Sequence, residues 1–113
     1  MSQPPDHHAQ NLEVLLQALW KSNYATILER LKTLRGAQNE LAMGQLDNQT
    51  RTNAEAAAHK LAGVLGTFGL PEGSKFASRI EVLLAQETSL NAESEGLLSA
   101  WLDKLEAVIA SKT

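Results

Sequence analysis

The sequence contains no cysteine. A disulfide framework and a thiolate metal site are therefore excluded, which fits a reducing compartment. It also lacks a basic run: ten Lys and Arg stand against thirteen Asp and Glu, for a net charge of −3. A nucleic-acid binder concentrates positive charge on one face, so no nucleic-acid partner is expected. Long apolar runs are missing too. None approaches the roughly 20 residues of a membrane span, and the opening "MSQPPDHHAQ" has no apolar stretch of the kind a signal peptide carries. No strand-like alternation, internal repeat or low-complexity segment is visible. These absences leave a soluble cytoplasmic module, with no membrane partner, as the expectation.

What is present is helical periodicity. Apolar residues make up 43% of 113 residues, enough for one domain with one core. From Asn11 they run Leu12, Leu15, Leu16, Leu19, Trp20, Ile27, Leu28, Leu31, Leu34 and Leu41, mostly at steps of three and four. As a single helix ending near Gly44 this segment would be about 50 Å long. The polar "KSNY" is a candidate break, which would leave a short extra helix ahead of the main one, and Gly36 is a second candidate bend. "GQLDNQT" is the first connection, with Asp47 as cap or Thr52 and Glu55 as a capping box. A second helix runs to about Phe68. "GLPEG" follows, with Gly69 suited to a C′ position and Pro71 to a helix start. A third helix carries Phe76, Ile80, Leu83 and Leu84 to about Glu87. "TSLNAES" offers Ser89 or Asn91 as the next cap, and a fourth helix carries Leu97, Leu98, Trp101, Leu102, Leu105, Val108 and Ile109. The expected fold is all-α, an antiparallel up-down four-helix bundle over residues 10–113 behind a flexible lead-in over 1–9. His7 and His8, with only Asp6 nearby, make a poor metal set, and no metal site is expected.

One stretch departs from good helix design. In "AHKLAGVLGTFGL", Gly63, Gly66 and Gly69 follow His59, although an interior glycine costs a helix about 1 kcal/mol relative to alanine. At about 100° per residue, Leu61, Leu65 and Phe68 fall roughly 180–240° from His59, so the histidine points away from the core. Within about 60° of it lie Thr52, Glu55, Ala56, Ala62, Gly63 and Gly66, mostly small residues. The glycines clear a strip beside an outward imidazole. A close helix crossing or fraying before Pro71 would account for them equally.

An exposed histidine with no Ser or Cys nucleophile beside it and no HExxH pattern fits neither a triad nor a zinc site. It fits an imidazole acting as nucleophile toward a group that another protein delivers. A phosphoryl group is the natural cargo.

These residues resemble the histidine-containing phosphotransfer (HPt) domain family. The matching positions are Ala58, His59, Leu61, Gly63, Gly66 and Gly69, with Ile80 and Glu81 in "SKFASRIE" at a later "LE"-like position. The resemblance implies that His59 exchanges a phosphoryl group with the aspartate of receiver domains, in response regulators or hybrid histidine kinases. It implies no ATP binding, no kinase activity of the chain's own, and no resident cofactor, the Mg²⁺ coming with the receiver. A monomer is expected. The family commonly has lysine three residues after the histidine; here that residue is Ala62, and Lys60 directly follows the histidine. Lys60, Lys75 and Arg79 are the candidate cations near a phosphate, and Gly63 and Gly66 the candidate docking strip. Two other readings stay open. One is a non-phosphorylated helical module that binds a receiver or another signalling partner. The other is the phosphoacceptor helix pair of a histidine kinase, which usually has an acidic residue where Lys60 stands.

Overall fold

The computed structural model describes residues 6–86 and 90–112, with side chains from residue 11 onward. It consists of α1 (Asp6–Ala42), α2 (Asn48–Thr67), α3 (Pro71–Ala85) and α4 (Ala92–Lys112). Among the described residues there is no strand. Each helix packs on the next and α4 returns to α1, while the backbones of the diagonal pairs stay apart. With short connections this is an antiparallel four-helix bundle. Its core is built from Ile27 and Leu34 of α1, Leu61 and Leu65 of α2, Ile80 and Leu84 of α3, and Leu98, Leu102 and Leu105 of α4, all fully buried. Across α1 and α4, Arg35 reaches both Asp103 at 3.0 Å and Glu106 at 2.6 Å.

The first helix differs from its expected form. It is unbroken through "KSNY" and through Gly36, so no separate lead helix exists. "KSNY" holds no glycine or proline. Ser22 and Asn23 turn their side chains back onto the Leu19 carbonyl at 3.0 and 2.8 Å, which leaves the helical ladder intact. Buried Trp20 and Ile27 flank the segment and hold it against the bundle. Helix α1 begins at Asp6, inside the segment expected to be a lead-in. Residues 1–5, the side chains of His7 and His8, and Glu87 and Ser89 lie outside the described residues. The core begins at Trp20, so the turns before it carry Leu12, Leu15 and Leu19 exposed.

The connections follow local chemistry. Asp47 caps α2: its carboxylate accepts the Thr50 N–H at 2.7 Å. Asn91 does the same for Ser94 ahead of α4 at 3.0 Å. Helix α2 ends in a Schellman turn, with the Leu70 N–H on the Leu65 carbonyl and the Gly69 N–H on the Gly66 carbonyl. Gly69 takes φ +71° there, a conformation that disfavours a side chain, and Pro71 opens α3. Gly73 has a different reason. A Cβ on it would lie 3.1 Å from both Leu65 Cδ1 and Val108 Cγ1, so its absence lets α3 press against α2 and α4.

The Asp47 cap predicts a pH signature. The Thr50 backbone N–H holds this carboxyl below its ordinary value of 3.8. A depressed folded-state value means that the contribution to stability is complete above 3.8 and disappears as pH falls through the lower folded value. Asp47→Asn should keep the cap but lose this acid-side dependence. Melting curves between pH 5 and 2 for both proteins check it; identical slopes would assign the dependence elsewhere.

Candidate functional site

Helix α2 packs inward through Ala54, Ala57, Ala58, Leu61 and Leu65. That register turns His59 to solvent, and its side chain is 73% exposed. Around it lie the strip residues. At Gly63 a Cβ would meet nothing within 4 Å; at Gly66 it would meet only Ser74 Oγ at 3.7 Å, an ordinary contact. Neither glycine adopts positive φ. The close-crossing explanation therefore fails at Gly63, and no packing or backbone requirement explains either residue.

The imidazole has a partner on the neighbouring helix. Glu81 of α3, with its side chain 30% exposed, places Oε2 2.9 Å from His59 Nδ1. Buried Ile80 and Leu84 on either side fix the register of α3. One turn away, the Ser74 hydroxyl donates to the Ala62 carbonyl at 2.7 Å, tying α3 to α2 beside the histidine. An ionised carboxylate only accepts hydrogen bonds, so the contact places the proton on Nδ1. The lone pair then sits on Nε2, the nitrogen facing away from Glu81. The arrangement is an oriented nucleophile on a convex surface, its α3 side held by a carboxylate.

Its α1 side is an open, mainly apolar groove between α1 and α2. Leu19, Asn23 and Arg30 line it from α1, His59, Lys60, Gly63, Val64 and Thr67 from α2, and Phe68 from the α2 C-cap. The structure thus brings His59, Lys60 and Gly63 together, with Gly66 and Ala62 toward α3. Lys75 and Arg79 do not line the groove. Lys75 is exposed on α3, and the Arg79 guanidinium lies 5.6 Å over the Phe76 ring, which Lys104 of α4 also approaches at 5.9 Å. Arg30 and the Glu81 contact went unread in the sequence; the matched "LE"-like position was the one signal that touched Glu81. Another recess, near Leu41, Leu46, Leu90 and Asn91, includes Arg51 and Glu95. Arg51 is already bonded to the Gln86 carbonyl and Glu95 to Gln38, and no nucleophile lines it.

Among the described residues no group of three or more His, Cys, Asp or Glu side chains is placed to hold a metal ion. No helix among them is long and apolar enough to cross a membrane.

Comparison with known proteins agrees with this geometry. A family model described as "Hpt domain" matches residues 6–111. The chain is similar to Protein RcaC of Microchaete diplosiphon, at 30% identity over 110 residues. That match takes in 97% of this chain and 17% of the relative, so the chain spans a small part of the length of the curated protein it resembles. No solved structure matches.

Proposed function

The chain belongs to the Hpt domain family, whose general role is histidine phosphotransfer in phosphorelays, and on that premise we propose that it accepts a phosphoryl group on His59 and passes it on, exchanging it with the aspartate of receiver domains. The observation that carries this reading is the exposed His59 with Nδ1 held by Glu81.

The chemistry follows from that contact. Nε2 offers its lone pair to the phosphorus of a receiver's aspartyl phosphate. An N–P bond forms, the P–O bond to the aspartate breaks, and the carboxylate leaves with the electron pair. No proton has to move. Because Nδ1 keeps its hydrogen, the ring gains a positive charge as the new bond forms, and the Glu81 carboxylate beside Nδ1 offsets it. Donation is the reverse. The receiver would bring Mg²⁺ to screen the phosphoryl oxygens. Such an exchange needs room for a second protein to seat over the imidazole, which the Gly63 and Gly66 strip provides. A cytoplasmic monomer without kinase activity of its own is part of the proposal.

The test is incubation with a panel of phosphorylated receiver domains, followed by mapping of any acid-labile, base-stable phosphate. Label on His59 is the expected result. No label from any receiver, or label on another residue, would overturn the reading. Partner binding without label would favour the non-phosphorylated module, the reading that Ala62 in place of lysine keeps open.

Glu81 supplies a finer prediction. Glu81→Gln keeps an acceptor for Nδ1–H but removes the charge; Glu81→Ala removes both. Charge-assisted hydrogen bonds are the stronger kind, and this one is partly exposed. Transfer should slow by about threefold in the first variant and about tenfold in the second, where tenfold corresponds to about 1.4 kcal/mol. Both should melt within about 0.5 kcal/mol of the parent. Rapid-quench transfer kinetics check this; equal rates in all three would remove Glu81 from the mechanism.

A further inference from the structure

We infer that Arg30 of α1, with Lys60 beside it, is the cationic contact for the phosphoryl group on His59. The inference rests on the reading of His59 as phospho-accepting, and three observations support it.

The first is direction. With Nδ1 held by Glu81 of α3, Nε2 and anything bonded to it lead away from α3. The groove on the other side of His59 is walled by α1, and Arg30 and Lys60 are the cations that line it. The second is the sign of the surroundings. A phosphoryl group carries close to two negative charges near neutral pH. On the α3 side it would meet the Glu81 carboxylate; on the α1 side it would meet a guanidinium and an ammonium. The third is that Arg30 is unspent. Arg35 is committed to Asp103 and Glu106, Arg51 to the Gln86 carbonyl, and Arg79 to the Phe76 ring. Arg30 is half-buried, yet among the described residues its guanidinium has no hydrogen bond, ion pair or ring contact. A guanidinium carries five donors in a planar fork that matches two phosphoryl oxygens at once. Ala62, which the family pattern often fills with lysine, lies toward α3, where its carbonyl accepts the Ser74 hydroxyl. In this chain the positive charge comes from the opposite wall.

The experiment uses phosphoramidate as a small phosphodonor, which gives its phosphoryl group to Nε2 and leaves as ammonia, alongside a phosphorylated receiver. Wild type, Arg30→Gln, Arg30→Lys and Lys60→Gln are compared for the rate and extent of His59 phosphorylation, with melting curves for each. Arg30→Gln is expected to lower both rates by about five- to tenfold, as loss of a charge-assisted contact would. Arg30→Lys should recover part of the loss, keeping the charge without the fork, and Lys60→Gln should fall between. The differences should shrink in high salt. Wild-type rates in Arg30→Gln, with wild type labelled on His59, would overturn the inference. So would a loss confined to the receiver reaction, which would make Arg30 a docking residue. Should wild type take no phosphoryl group from either donor, the reading of His59 fails, and this inference with it.

Discussion

His59→Gln is expected to abolish phosphoryl acceptance while leaving the bundle folded. The loss should be complete because glutamine has no counterpart to Nε2: its amide nitrogen shares its lone pair with the carbonyl and is not a nucleophile. The fold should hardly notice. The imidazole is 73% exposed, and the one contact it surrenders is the hydrogen bond to Glu81. An exposed pair of this kind contributes about 0–1 kcal/mol, and a glutamine amide can still donate toward the same carboxylate. The change in stability should stay within about 0.5 kcal/mol. Labelling with a phosphorylated receiver, together with thermal melts followed by circular dichroism, measures both parts. A variant that still takes up acid-labile phosphate would place the acceptor elsewhere. A variant that unfolds would mean that the ring carries packing its exposure does not show.

The bundle was legible because its signals are local. Apolar spacing of three and four, Asp47 before α2, Gly69 and Pro71 between α2 and α3, and Asn91 before α4 each act within a few residues of themselves. The expected break at "KSNY" did not occur because none of its residues breaks a helix as proline or glycine would. Trp20 and Ile27, packed on the bundle at either side, decide the matter, and that packing is tertiary. Gly73, within the "GLPEG" expected as a connection, stands inside α3 for the same reason. Beside Pro71 it reads as a turn residue, whereas what requires it is Leu65 on α2 and Val108 on α4.

The site divides in the same way. The outward register of His59 follows from the period of one helix. Its partner does not: Glu81 is 22 residues further along the chain, and periodicity alone cannot say which residue of α3 will lie opposite a given residue of α2. Arg30 is still less visible, because an arginine on an amphipathic helix normally reads as a solvated charge. Only the pairing of α1 with α2 puts it in the groove with His59 and Lys60. Lys75 and Arg79 were reasonable candidates by spacing, but the spacing could not reveal that Arg79 is drawn over Phe76.

Gly63→Gln is expected to move stability and transfer in opposite directions. Helix α2 gives up helix propensity at Gly63 and gains no packing in return, since a Cβ there would touch nothing within 4 Å. Glutamine should therefore stabilise the protein, by about 0.5 kcal/mol on the helix scale. The same side chain would stand one turn from His59, on the strip a receiver must cover, and transfer should slow by at least about tenfold, a barrier increase of about 1.4 kcal/mol. A control separates access from stability. Gly36 is also an exposed helical glycine with open space around it, but it lies on α1 away from the groove residues. Gly36→Gln should give a similar gain in melting temperature and transfer at the wild-type rate. Phosphoramidate adds a second discrimination: being small, it should still label Gly63→Gln at close to the wild-type rate, so the loss should be confined to the protein donor. If Gly63→Gln accepts phosphoryl groups from a receiver as fast as wild type, the glycine is not there for access. If it loses both donors equally, the substitution has disturbed His59 itself rather than the approach to it.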